Sequence, residues 1–206
     1  MRAVFIFVVI LLLIGVAVPV TFAIRFWIDG QSVLAQAEQS GALRVPAGGQ
    51  LTNVERTIAM SEFHSTWRTS GTPCRTLAFL WADLTTESAP HGMPVSQRVS
   101  TTLLGEQRGT SARWQIRRLI VACQLEQRLD DAQLLRLWLA KAYFGRGETG
   151  IETASQSIFG MPSRELNAED SARLAVLLKG PGVRGDPERW GERARALRER
   201  IAGAAQ

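Results

Sequence analysis

The chain has 206 residues, 24 Lys and Arg against 19 Asp and Glu, a net charge of +5 and only two cysteines. Once an apolar amino-terminal segment is set aside, that length holds one domain of roughly 150 residues around one core. The basic balance suits an anionic partner such as a phospholipid surface or a pyrophosphate. No nucleic-acid-binding motif accompanies it, which sets nucleic acid aside, and the distant Cys74 and Cys123 indicate neither a disulfide framework nor a zinc site.

From Ala3 to Ile24 no charged residue occurs. About twenty apolar residues rising ~1.5 Å each span the ~30 Å hydrocarbon layer. Arg2 precedes the run, and Arg25, Phe26 and Trp27 follow it as cationic and aromatic anchors for headgroup depth. A cleavable signal peptide is the rival reading, but the run exceeds a usual signal core, and Phe22 and Arg25 suit cleavage poorly. The resulting division is a transmembrane anchor over 1–27, a linker over 28–50 with a helical patch from Ser32 to Gln39, and a domain over 51–206.

Val54, Ile58 and Ala59 mark one helix, and Leu77, Leu80, Trp81 and Leu84 a second. Pro94 starts another, whose polar face is Gln97 and Thr101. Gly105 and Gly109 bound a loop. Ile116, Leu119, Ile120 and Cys123 recur at helical spacing, so Cys123 reads as a small buried hydrophobe, with a single bridge left open for an oxidising compartment. Leu134 to Ala142 is a further apolar helix, ended by a loop with Gly145, Gly147 and Gly150. Asn167 with Asp170 caps the next helix, and Gly180-Pro181 closes it. Arg193, Arg195, Arg198 and Arg200 form a solvated face on the last helix or touch anionic headgroups.

The run from Gln124 to Ala154, centred on Tyr143-Phe144-Gly145-Arg146-Gly147-Glu148-Thr149-Gly150-Ile151, resembles the peptidoglycan glycosyltransferases of family 51. These are the monofunctional transglycosylases and the amino-terminal domains of bifunctional penicillin-binding proteins. Ser155 to Gly160, Leu166 to Asp170 and Leu174 to Pro181 continue the pattern in register. The resemblance implies a mainly α, lysozyme-like helical domain behind a transmembrane helix. It implies location on the extracytoplasmic side of a bacterial cytoplasmic membrane, and lipid-linked peptidoglycan precursor and other cell-wall synthesis proteins as partners.

The site residues that the resemblance implies are uneven. Glu62 takes the place of the base that removes the acceptor 4-hydroxyl proton if one residue is deleted after it; without a gap Ser61 falls there. His64 follows as a substrate-binding imidazole near the cleft; on their residues alone Glu62 is a helix-end carboxylate and His64 a polar helix-end residue. Ser96, Gln97 and Arg98 stand where the family contacts donor sugar and phosphate, although Met93-Pro94 replaces its Ser-Thr pair and Arg98 its second Gln. Arg118 falls at a glutamate that the family sets beside the pyrophosphate and its divalent metal, and an arginine cannot ligate a metal. Arg113, Arg117 and Arg118 either neutralise pyrophosphate directly or form the solvated edge of an amphipathic helix. Gly145, Gly147 and Gly150 complete the substrate-binding set. Two functions follow: polymerisation of lipid-linked disaccharide with inversion at the anomeric carbon, or a catalytically impaired relative that binds precursor, glycan or a synthase.

Overall fold

The computed structural model describes residues 2–45, 49–63, 67, 74–85, 93–105 and 111–204, with the side chains of 2–14, 16, 18, 19, 79, 80, 83 and 84 set aside. Among them run nine α-helices and one hairpin: α1 Arg2–Gln39, α2 Asn53–Glu62, α3 Arg75–Thr85, α4 Val95–Leu103, α5 Ala112–Arg128, α6 Asp131–Leu139, β1 Tyr143–Gly145, β2 Glu148–Thr149, α7 Ile151–Phe159, α8 Ala168–Leu177 and α9 Pro187–Ala204. The mainly α expectation therefore holds. Local chemistry sets several of the boundaries. Thr52 and Glu55 form a reciprocal capping box on α2, Asp130 and Gln133 do the same on α6, and Asn167 accepts from the amides of Glu169 and Asp170 on α8.

The helices pack in two groups. α1, α3 and α4 lie against α5, while α8 gathers α2, α7, α9 and the hairpin; α6 touches both α4 and α2. Val54, Ile58, Val121, Leu125, Leu134, Leu135, Phe144, Leu174 and Leu177 are wholly buried between them. Each such side chain contributes about 1.5–3 kcal/mol relative to exposure.

Residues 28–39 are the last turns of α1, which include the helical patch expected from Ser32 to Gln39. Their Gly, Ser and Gln content suggests a tether, yet Leu34 is wholly buried and Ala37 nearly so. Gly30 lets α1 approach α5 closely: a Cβ there would lie 2.5 Å from Gln124 Oε1. Gln124 Nε2 donates to the Trp27 carbonyl at 2.9 Å, and Arg117 pairs with Asp29 at 2.6 Å. Packing against α5 outweighs composition here. Among the described residues no helix is long and apolar enough to cross a membrane, and most side chains of the Ala3 to Ile24 run are among those set aside.

The glycine loop is a short hairpin. β1 and β2 pair antiparallel, with Gly145 opposite Glu148. Arg146 and Gly147 between them have φ of 51° and 82°, the two successive positive values of a type I′ turn.

Cys123 is more than a buried hydrophobe. It forms a disulfide with Cys74, with Cα atoms 4.9 Å apart. The bridge belongs to a cluster that fixes the start of α3. Arg75 forks onto Asp131, and Glu126 accepts from the Thr76 amide at 3.3 Å and the Thr76 hydroxyl at 2.9 Å. Leu77 and Trp81, on the next turns, remain exposed at 54% and 70%. Closing a loop of 49 residues removes chain entropy worth about 4 kcal/mol from the unfolded state. Reduction, or Cys74→Ser, is expected to lower unfolding free energy by up to that amount in a urea titration; an unchanged midpoint would refute the bridge.

Candidate functional site

α2 ends in Glu62, whose side chain is 9% exposed and meets Lys179 Nζ at 3.2 Å. The pair opens on a cavity of about 260 Å³ between α2, α8 and α9, lined also by Ala175, Val176, Arg193, Leu197 and Arg200. One carboxylate thus faces three cations across an apolar floor. The Arg193 guanidinium lies close over Gly180: a Cβ there would be 3.2 Å from its Nη1. Lys179, Arg193 and Arg200 are exposed, so the cavity is open to solvent on its cationic side.

The other expected residues divide between this neighbourhood and structural tasks. His64 lies outside the described residues. Phe63, next to Glu62, packs edge-on against Trp138 with ring centroids 5.3 Å apart, and the Arg98 guanidinium sits 5.8 Å over the same ring. Trp138 therefore joins the end of α2 to the exposed edge of α4. Gln97 is 95% buried, against the expectation of a polar helix face, and its carbonyl accepts from Ser100 and Thr101. Ser96 is wholly buried and donates to Glu126 at 2.6 Å, so its hydroxyl is out of reach of a ligand.

Arg117 faces α1 through Asp29. Arg118 sits over Trp114 at 5.6 Å, with Nη1 3.5 Å from Met93 Sδ, and burial pushes its guanidinium below the usual arginine value. The family's metal does not fit this arrangement: Arg118 is no ligand, and among the described residues no group of three His, Cys, Asp or Glu could hold an ion.

Gly145, Gly147 and Gly150 set the hairpin on the domain. Gly145 has φ of 101°, and a Cβ there would meet Pro181 Cβ at 2.8 Å. Gly150, at φ of 91°, would bring its Cβ 3.0 Å from the Ala140 carbonyl, and it opens α7. Gly150 lines a separate cavity of about 240 Å³ with Glu55, Arg136 and Glu152, and this cavity shares no lining residue with that of Glu62. Glu148 on β2 binds Arg184 at 2.7 Å and Ser157. Burial pushes the Glu148 carboxyl up, but the hydrogen bonds from Arg184 and Ser157 and the charges of Arg184 and Arg146 outweigh it and hold it below the ordinary value.

Lys179, Arg193 and Arg200 were not expected at the site. The available signal was spacing: Arg193 and Arg200 stand two helical turns apart, on the face that Leu197 buries.

Residues 53–203 match the sequence pattern of a family described as Transglycosylase. The chain belongs to that family. Similarity to individual members is modest. Penicillin-binding protein 1C of Escherichia coli (strain K12) is 30% identical over 176 residues, 84% of this chain and 23% of that protein. Penicillin-binding protein 2a of Streptococcus pneumoniae (strain ATCC BAA-255 / R6) is 28% identical over 129 residues, 63% of this chain and 17% of that protein. Biosynthetic peptidoglycan transglycosylase of Burkholderia pseudomallei (strain K96243) is 36% identical over 90 residues, 42% of this chain and 35% of that protein. The chain thus spans about a third or less of the length of these relatives.

Two outcomes test the hairpin. Gly145→Ala is expected to cost about 3 kcal/mol of stability, from positive φ and overpacking together, and Gly147→Ala, which has open space, about 1 kcal/mol; equal costs in thermal melts would contradict the Pro181 contact. Because Glu148 is held below its ordinary value of 4.5, it stabilises the fold above that pH and ceases to as pH falls through the folded value. The stability lost in Glu148→Gln should therefore shrink toward zero in acid.

Proposed function

We propose that this chain is a membrane-anchored peptidoglycan glycosyltransferase with a lysozyme-like helical domain, adding lipid-linked disaccharide to glycan strands. The observation that carries the reading is the juxtaposition of Glu62 with Lys179, Arg193 and Arg200 around one cavity. Glu62 removes the proton from the acceptor 4-hydroxyl as that oxygen attacks the donor anomeric carbon. Configuration inverts, and the bond to the polyprenyl pyrophosphate breaks. Lys179, Arg193 and Arg200 neutralise the charge that gathers on the departing pyrophosphate, with Arg98 and Arg118 as further cations on the α4 and α5 side. Arg117 is assigned to the α1 contact, and the three glycines to shaping the wall. No step passes through a metal.

The anchor is 1–27 and the catalytic domain 51–206, with 28–39 acting as a helical stalk. Location outside the cytoplasmic membrane accords with the Cys74–Cys123 bridge, since disulfides persist in oxidising compartments. Other cell-wall synthesis proteins are the expected protein partners.

A specific observation favours a second reading, a catalytically impaired relative that binds precursor, glycan or a synthase. The family's glutamate is Arg118, engaged with Met93 and Trp114, and Glu62 is already engaged by Lys179. The two separate on purified full chain given lipid-linked disaccharide. Polymer that falls about 10²–10⁴-fold in Glu62→Gln supports the base assignment, and Lys179→Met and Arg193→Gln should each slow it by about tenfold. Undiminished polymer in Glu62→Gln refutes that base. Absence of polymer from the unaltered chain, with precursor binding that weakens in Arg193→Gln, supports the binding module.

A further inference from the structure

A third cavity, of about 460 Å³, lies where α1 meets the first turn of α5, and it is lined by Phe22, Arg25, Phe26, Asp29, Arg113 and Ile116. Its chemistry is divided. Phe22 and Ile116 present exposed apolar surface, at 56% and 43% exposure, while Arg25 and Arg113 supply two cations. Among the described residues neither arginine has an acidic partner within ion-pair distance, because Asp29, the one carboxylate in the lining, is committed to Arg117 at 2.6 Å. The net charge of the pocket is therefore positive. The amino-terminal end of the α5 dipole adds to it.

α1 packs closely on α5 just below the cavity: Gln124 Nε2 donates to the Trp27 carbonyl at 2.9 Å, and a Cβ on Gly30 would lie 2.5 Å from Gln124 Oε1. Position completes the argument, which rests on the anchor reading above. The apolar run ends at Ile24, so Arg25 emerges at headgroup depth, with Trp27 40% exposed beside it. Arg113 is brought to the same depth by the α1 and α5 contact.

We propose that this cavity binds the headgroup of an anionic phospholipid of the surrounding bilayer, with the phosphate between Arg25 and Arg113 and the start of an acyl chain along Phe22, Phe26 and Ile116. Charge complementarity and depth select this occupant: a soluble anion gains nothing from the apolar wall, and a zwitterionic headgroup brings its own cation to two arginines. A bound lipid would fix the rotation of the stalk, and hence the height at which the domain rides over the membrane.

The test uses the full chain in nanodiscs of phosphatidylcholine containing a minority of phosphatidylglycerol, with each lipid spin-labelled in turn. The unaltered chain should immobilise phosphatidylglycerol in preference to phosphatidylcholine. Arg25→Gln and Arg113→Gln should each lower that preference about fivefold, and Arg25→Lys with Arg113→Lys should keep most of it. Both arginines are exposed, and unchanged circular dichroism melts will show that the fold survives. Equal preference before and after the glutamine changes overturns the site. So does displacement of labelled phosphatidylglycerol by a polyprenyl phosphate more effectively than by unlabelled phosphatidylglycerol, which assigns the pocket to a carrier lipid. Failure of the chain to float with vesicles of either composition refutes the anchor and the site together, whereas flotation on both without preference refutes the site alone.

Discussion

Four consecutive residues of α5, Cys123 to Glu126, hold the rest of the described structure together. Successive side chains on a helix are about 100° apart, so four in a row face nearly every direction. Cys123 bonds covalently to the start of α3, Gln124 reaches α1, Leu125 enters the core, and Glu126 accepts hydrogen bonds from Thr76 on α3 and Ser96 on α4. Three helices with little direct contact among themselves are thereby registered on a fourth. The Glu126 carboxylate also sits at the amino-terminal ends of α3 and α4, where the helix dipoles favour negative charge.

Two sets of arginines contrast, one paired within the fold and one lining cavities. Arg75, Arg136 and Arg184 are paired with Asp131, Glu55 and Glu148, each with side chains under a fifth exposed, and so serve the fold. These pairs join α3 to α6, α6 to α2 and the segment after α8 to the hairpin. Arg25, Arg113, Arg193 and Arg200 instead line cavities in which carboxylates are outnumbered. One such cavity lies between α1 and α5 and the other contains Glu62. A chain with a diffuse positive surface would show the same net charge without either concentration.

Trp138 gives the site its reach. Its ring receives Phe63 edge-on from the Glu62 side and Arg98 from the α4 side. The cavity of Glu62 and that of Gly150 remain distinct in the described residues. The glycine hairpin packs on Pro181 and α8 and shares no pocket with Glu62.

Sequence alone determined the helices with clear periodicity or caps, such as α2, α6 and α8, because those signals act within a turn or two of the chain. It also located the glycines that need positive φ, and it carried the family pattern that residues 53–203 match. Tertiary structure decided everything that depends on the path of the chain between distant residues: that Cys123 finds Cys74, that 28–39 is a packed stalk, that Ser96 is consumed by Glu126, and that Lys179, Arg193 and Arg200 surround Glu62. A solvated arginine face and a cation-lined cavity have the same spacing along a helix. What distinguishes them is the helix packed opposite, and that partner is set by the burial of the whole core.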